Sequence, residues 1–288
     1  MTTRAAAIGG LLVISLLAGT WRDRAPAQEP VMLGGYHVLA VDFHVHTHPL
    51  SSTTLTSWDV VTEARRARLD AIAVVPHDHV WAARLARWFS RLIDGPIVLV
   101  GEEVAATQCD VLAVGIERTI PWGQRARAVA EQAHAQGGIA IAAHPVQRDW
   151  HGCAEAVPVF DGSEIVHPLV FNGEDLARSL RDFNASGDMA AIGDTDYHIG
   201  QFGMVRTYVF ARERAAAAIL DAVRAKRTVV YDRGRVYGER SLIQLAAADG
   251  RLPRMAALTG PRRLATLDGA IAIVGLLAAI LFGWRDDR

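Results

Sequence analysis

The stretch VLAVDFHVHTH at residues 38–48 decides the fold of this chain, because an apolar run ends in two histidines spaced two residues apart. Side chains alternate in direction along a β-strand, so His44 and His46 are expected on the same face of one strand. Two imidazoles side by side at the end of a buried strand can hold a metal while other coordination positions stay open. The stretch therefore predicts a metal centre at the end of this strand.

Four later apolar runs also end in possible metal ligands. They are VVPHDH at 74–79, VLVGEE at 98–103, IAIAAH at 139–144 and AIGDTDYH at 191–198, and a further strand-like run, SEIV, precedes His167. Where the strands of a sheet run parallel, their carboxyl ends lie on one side, and that side is where ligands bind. We expect one metal site built from His44, His46, His79, Glu103, His144, His167, Asp196 and His198.

The order of apolar strands and amphipathic helices predicts the α/β fold class. Strands that are apolar almost throughout are typical of a parallel sheet covered on both faces. Strand–helix alternation repeated about seven times favours a closed barrel over an open doubly wound sheet.

Composition argues against nucleic acid as a partner, and it favours a packing role for the two cysteines. The formal net charge is −1 over 288 residues, and no basic cluster carries interleaved aromatic residues, so nucleic acid is not an expected partner. Cys109 and Cys153 have no metal-binding spacing. The interpretation favoured for them is a pair of small buried hydrophobic side chains rather than a disulfide.

Apolar segments near both ends predict attachment to a membrane. Residues 5–21 indicate a signal anchor or cleaved signal peptide, followed by a linker to residue 30. Residues 269–284 form a second apolar run, for which a buried helix of the main domain is the alternative. We expect a main metal-binding domain at 36–245, a linker at 246–266 and a transmembrane helix with a short tail at 267–288. The main domain would then be membrane-anchored and extracytoplasmic.

Five short motifs together resemble the polymerase and histidinol phosphatase (PHP) domain family. The motifs are His44-Val-His46-Thr47, Asp78-His79, Gly101-Glu-Glu103, Ala143-His144-Pro145 and Gly193-Asp-Thr-Asp196-Tyr-His198. The resemblance covers about residues 38 to 235. It implies a distorted seven-stranded (β/α) barrel with two or three divalent metal ions, with Mn, Zn and Fe as candidates, and hydrolysis of a small phosphorylated substrate.

The resemblance also assigns roles to the candidate ligands. His44, His46, Glu103 and Asp196 would hold one ion, and Glu103 would bridge to a second ion bound by His144 and His167. His79 and His198 would belong to a third position or protonate the leaving oxygen. A metal-activated hydroxide would attack phosphorus. Apart from the resemblance, Arg148 and Arg206 each lie just beyond a motif strand, which makes them candidate phosphate-binding residues. The residues 48–52, HPLSS, depart from the family pattern, which puts the third ion in doubt.

Two other functions remain open from the sequence. An amidohydrolase that hydrolyses C–N or C–O bonds would share the His-x-His motif, but Lys226 is the only lysine and it follows a late helix. A carboxylate would therefore have to replace the carbamylated lysine used by many such enzymes. The second alternative is a membrane-tethered metal-binding domain that has lost catalysis.

Overall fold

The structure is a computed structural model that describes residues 10, 14, 31–48, 51–53, 55–107, 109–145, 153–168, 174–198, 203–232 and 235–250. The chain divides into Gln28–Thr259 and a second unit formed by Met1–Ala27 with Gly260–Arg288. Every element named below belongs to the first unit.

Eleven strands form one sheet. They are β1 (Met32–Leu33), β2 (Tyr36–Val45), β3 (Ala71–Val74), β4 (Ile97–Ala105), β5 (Asp110–Val114), β6 (Ile139–Ala143), β7 (Gly162–Val166), β8 (Ala190–Gly193), β9 (Arg206–Ala211), β10 (Thr228–Asp232) and β11 (Arg235–Gly238). The neighbours follow the order β11-β10-β9-β2-β3-β4-β5-β6-β7-β8, and β1 pairs with β2 outside this path.

Among the described residues of the first unit, six α-helices and one 3-10 helix pack around the sheet. They are α1 (Ser57–Arg66), α2 (Trp81–Leu92), α3 (Ala126–Ala135), the 3-10 helix Ala154–Val159, α4 (Glu174–Ala185), α5 (Ala216–Arg224) and α6 (Arg240–Ala248). The start of α1 is encoded locally: Thr56 accepts a hydrogen bond from the Asp59 N–H, and the Asp59 carboxylate accepts one from the Thr56 N–H. This capping box satisfies two N–H groups that a helix start otherwise leaves unpaired.

The expected seven-stranded barrel is wrong in strand number and direction. Pairs β2–β3, β3–β4, β6–β7 and β7–β8 are parallel, but β5 runs antiparallel to both β4 and β6. No helix separates β4 from β5, because the connection between them is too short, so the chain turns straight back. Strands β9, β10 and β11 add further antiparallel pairs beside β2. The result is a mixed, barrel-like sheet.

The two faces of the sheet are buried in different ways. Val38 and Ala40 pack in a core with residues of α1, α2 and α3, whereas Leu39, Val41 and Phe43 pack in a second core that includes residues of α5. Strand β2 is thus buried on both sides, as its nearly continuous apolar sequence predicts.

The interpretation of the cysteines as separate thiols is also wrong. Cys109 and Cys153 form a disulfide, with their Cα atoms 5.8 Å apart. Cys109 lies just before β5, and Cys153 lies just before the 3-10 helix that leads into β7. The two positions are 44 residues apart in the sequence, and only the fold brings them together.

The expectation of a membrane-anchored chain with flanking transmembrane helices is corrected as well. Within the described residues, no helix has both the length and the apolar character needed to cross a bilayer. The predicted segments at 5–21 and 269–284 lie outside the described residues, apart from Gly10 and Ile14.

Candidate metal centre

Four of the predicted ligands converge at one point. The Nε2 atoms of His44 and His46 lie 3.0 Å apart. Glu103 Oε2 is 3.3 Å from the first of these nitrogens and 3.2 Å from the second. Asp196 Oδ1 is 3.3 Å and 2.9 Å from the same two atoms. All four side chains are buried, and the potential ligand atoms lie within 4.8 Å of one another.

The two carboxylates of this cluster extend it in two directions. Glu103 turns its other oxygen, Oε1, toward His144 Nε2 at 3.0 Å. Asp196 turns Oδ2 toward His167 Nε2 at 3.2 Å. His44, His144, His167 and Asp196 form a second set of mutually close potential ligands. Each carboxylate therefore contacts two separate groups of imidazoles, as a carboxylate shared between two ions would.

Strand β2 is irregular in the segment that carries the first motif histidine. The pairing of β2 with β3 shifts register between Asp42 and Val45. Phe43 and Val45 then pack in different cores although they are two residues apart. A regular strand would put both on the same face. The extra residue is typical of a β-bulge, which re-aims side chains near functional sites.

The backbone at two other ligands lies in the left-handed region. His144 has φ 27° and Asp196 has φ 43°, a conformation that residues other than glycine seldom adopt. The loop carrying Asp196 is fastened to β2, because the Asp42 carboxylate accepts hydrogen bonds from the Thr195 hydroxyl at 2.6 Å and the Thr195 N–H at 3.1 Å. The Tyr197 N–H also donates to the His44 carbonyl. Backbone strain that is held by surrounding contacts is common at functional sites.

The structure brings His77, rather than the predicted His79, to the cluster. His77 Nδ1 lies 3.2 Å from Glu103 Oε2, and His77 forms a third potential ligand set with His46 and His198. His79 is exposed and belongs to none of the ligand sets found among the described residues. The two histidines diverge because Asp78 between them has φ 54°, which turns the chain.

His198 occupies the outer side of the cluster. Its Nδ1 lies 3.1 Å from Asp196 Oδ1, and its side chain is 21% exposed, whereas the side chains of His44 and His46 are fully buried. His198 can therefore be reached from solvent.

Of the two predicted phosphate-binding arginines, only Arg206 lies among the described residues, and its guanidinium binds backbone carbonyls instead of the cluster. Arg206 is buried, and its guanidinium donates to the carbonyl oxygens of Ala67 at 3.2 Å and Gly203 at 2.7 Å. It satisfies backbone groups after α1 and before β9, which is a structural role. Arg148 lies outside the described residues.

Burial and mutual attraction shift the protonation of the cluster strongly. Burial alone would lower the pKa of His44, but Asp196, Glu103 and Glu164 raise it well above the usual value. Burial would raise the pKa of Glu103, but the positive charge of His44 and hydrogen bonds from His144 hold it well below. The pKa of Asp196 is lowered against the effect of burial by His44, His167 and His198. The carboxylates are thus strongly held in their charged form.

The donor set fits divalent metal ions. Imidazole nitrogens and carboxylate oxygens are ligands for Zn²⁺, Mn²⁺ and Fe²⁺. The Nε2 atoms of His44 and His46 lie 3.0 Å apart, and both face carboxylate oxygens of Glu103 and Asp196. A cation between these four atoms would satisfy all of them. These buried histidine and carboxylate clusters can therefore hold divalent metal.

Comparisons with known proteins support the fold. No protein-family model matches the sequence, and no curated protein matches it. Among solved structures, a two-domain protein from Bacteroides vulgatus that contains a predicted PHP-like metal-dependent phosphoesterase superposes with a TM-score of 0.62 at 20% identity. The match covers 78% of this chain and 74% of the other.

Two more distant structures differ in the function named for them. An amidohydrolase from Chromobacterium violaceum has a TM-score of 0.46 at 13% identity and covers 55% of this chain and 87% of its own. A lesion-specific endonuclease from Pyrococcus furiosus has a TM-score of 0.46 at 14% identity, with coverages of 65% and 56%. Resemblances this distant do not establish a shared fold. The Bacteroides structure does share its fold with this chain.

Proposed function

We propose that this chain is a metal-dependent hydrolase of phosphate esters that belongs to the PHP type. The observation that carries the proposal is the placement of Glu103 and Asp196, each with its two oxygens directed to different histidines. Such a pair of shared carboxylates suits a centre of two neighbouring divalent ions, and the domain boundaries proposed for it remain 36–245.

Each residue of the centre would have a defined task. His44, His46, Glu103 and Asp196 would hold one ion, and His144 and His167 would complete a second position with the same carboxylates. His77 and His46 would support a further position beside His198. When bound, divalent ions supply a water of lowered pKa and neutralise charge on phosphoryl oxygens.

The protein itself would orient the phosphate ester and supply a proton. We assign His198 as the general acid for the leaving oxygen, because it lies on the open side of the cluster and is fixed through Nδ1 by Asp196. The substrate would be a small phosphorylated molecule. Arg206 is not part of this proposal, because it is buried and its guanidinium is occupied by backbone carbonyls.

The proposal is tested with the purified chain, Mn²⁺ or Zn²⁺, and a panel of aryl phosphate monoesters and diesters. We expect metal-dependent release of the aryl alcohol, and a loss of at least about a hundredfold in the His44→Ala and Asp196→Asn variants. His134→Ala is a matched control, because His134 pairs with Asp161 on the surface of α3 away from the cluster. Full turnover in Asp196→Asn would overturn the assignment.

Stoichiometric metal binding without hydrolysis of any phosphoester would instead favour a metal-binding domain without this activity. Metal content is therefore measured on the same samples by elemental analysis.

A further inference from the structure

We propose that Glu164 is a positioning residue that keeps His44 protonated on Nδ1 and directs its Nε2 into the metal cluster. This inference rests on the metal site of the proposed function and adds a residue that the sequence motifs did not reveal. Glu164 lies in β7, and it is fully buried behind the cluster.

The two oxygens of Glu164 form hydrogen bonds with two different candidate ligands, and Oε2 also lies 3.7 Å from His167 Nε2. Oε1 lies 2.7 Å from His44 Nδ1, and Oε2 accepts a hydrogen bond of 2.6 Å from the His144 backbone N–H. The pairing of β7 with β8 shifts register between Glu164 and Val166, so β7 carries an irregularity at the point where Glu164 must be aimed. One buried carboxylate thus holds the side chain of one candidate ligand and the backbone of another.

The contact with His44 decides which ring nitrogen can bind a metal. A carboxylate can only accept hydrogen bonds, so a 2.7 Å contact requires the proton to be on His44 Nδ1. In a neutral imidazole this leaves the lone pair on Nε2, the atom that faces His46, Glu103 and Asp196. A carboxylate behind a metal-binding histidine fixes its orientation and makes it a stronger ligand.

The contact with His144 holds a backbone that is unfavourable by itself. The φ of 27° at His144 is rare for a side chain with a Cβ atom. The hydrogen bond from its N–H to Glu164 offsets part of this cost, and it keeps His144 Nε2 within 3.0 Å of Glu103 Oε1. Loss of Glu164 would therefore disturb two ligands together.

A different role for Glu164 would be direct metal ligation. His44, Glu164 and Asp194 also have potential ligand atoms within 4.8 Å of one another, and all three are fully buried. In that arrangement the metal would replace the proton on His44 Nδ1. The protonation of Nδ1 in the metal-loaded protein separates the two roles.

The first experiment uses ¹⁵N-histidine-labelled chain loaded with Zn²⁺, in which long-range ¹H–¹⁵N spectra identify the protonated ring nitrogen. We expect His44 to carry its proton on Nδ1. The second experiment measures Zn²⁺ affinity by competition with a chromophoric chelator. Glu164→Gln should bind Zn²⁺ about 10- to 100-fold more weakly, because one amide cannot accept both hydrogen bonds.

Glu102→Gln is the matched control, since Glu102 is also fully buried in the neighbouring part of the fold but accepts its hydrogen bond from the Ile120 N–H. We expect its Zn²⁺ affinity to stay within about threefold of the original protein, below the range typical of lost outer-shell partners. A similar loss in both variants would show a general effect of removing a buried carboxylate and would overturn the inference.

Other outcomes are also decisive. A metal-bound Nδ1 in the original protein, or unchanged Zn²⁺ affinity in Glu164→Gln, overturns the positioning role. If Glu164→Gln does not fold, the spectrum of the original protein alone decides. Tight Zn²⁺ binding with Nδ1 protonated but no phosphoester hydrolysis supports the role of Glu164 while removing the proposed function, so the two failures are distinguishable.

Discussion

A single positive φ angle changes which histidine of the motif PHDH reaches the metal centre. Two histidines spaced two residues apart would face the same way on a regular strand, so their spacing does not distinguish His77 from His79. Asp78 has φ 54°, its N–H donates to the Glu103 carbonyl, and its carboxylate accepts from the Ala105 N–H. These contacts with β4 fix the turn. His77 Nδ1 then lies 3.2 Å from Glu103 Oε2 although its side chain is 44% exposed, whereas His79 belongs to none of the ligand sets found among the described residues.

His77→Ala and His79→Ala therefore form a matched pair of variants. We expect His77→Ala to lose about tenfold or more in turnover and in affinity for the most weakly bound ion, because it removes a potential ligand. His79→Ala should change neither by more than about twofold, since surface substitutions away from a site have small effects. Metal titration and phosphoester turnover measure both. The opposite ranking of the two variants would restore the assignment made from the sequence.

At the scale of elements, a buried arginine connects the end of one helix to the start of a strand. Arg206 opens β9, and its guanidinium donates to carbonyls at Ala67, the C-cap of α1, and at Gly203. Burial lowers the pKa of Arg206, because removing its positive charge from water is unfavourable. The two hydrogen bonds offset this cost. The position of Arg206 in the sequence, just beyond a strand, predicted that it would bind phosphate. Its burial indicates a structural role instead.

The variant Arg206→Met tests this structural role. It leaves two carbonyl oxygens without their donor while keeping an apolar side chain of similar length, so we expect a loss of roughly 2 kcal/mol in the free energy of unfolding. Arg214→Met is the control, because Arg214 pairs with Asp70 near the surface, and it should lose less than about 1 kcal/mol. Urea denaturation measures both. A raised KM for the phosphoester with unchanged stability would instead indicate substrate binding.

The elements that the sequence revealed are those with a strong local signal. The apolar runs before His44, Glu103, His144 and Asp196 are strands. They could be predicted because a strand buried on both faces has a nearly continuous apolar sequence. The direction of β5 could not be predicted, since an apolar strand has the same sequence pattern whether it pairs parallel or antiparallel. The left-handed turn at Asp78 could not be predicted from local sequence either, because the contacts that stabilise it come from β4.

At the scale of the whole molecule, the candidate metal centre also contains residues that the sequence predicted and residues that it did not. Residues of the His-x-His and Asp-Tyr-His motifs could be predicted to meet, because strand ends gather on one side of a sheet. Glu164 could not, because its importance comes from two hydrogen bonds to residues distant in the sequence. In the same way, Cys109 and Cys153 are 44 residues apart, and no sequence spacing showed that they would meet.

This disulfide ties together the part of the fold that carries His144. Cys109 precedes Asp110, the first residue of β5, and Asp110 pairs with Ala143 at the end of β6, immediately before His144. Closing a loop of this length removes conformational freedom from the unfolded chain. The chain-entropy relation gives about 4 kcal/mol of stabilisation for the 44-residue separation.

We therefore expect the double variant Cys109→Ala/Cys153→Ala to unfold at a lower urea concentration, with a loss of up to about 4 kcal/mol in the free energy of unfolding. The original protein measured in reductant should lose a similar amount, whereas the double variant should be insensitive to reductant. That comparison separates the cross-link from the packing of the two side chains, because alanine removes both and reductant removes only the covalent bond. Equal stability of the original protein with and without reductant, once mass spectrometry confirms reduction, would show that the cross-link does not stabilise this fold.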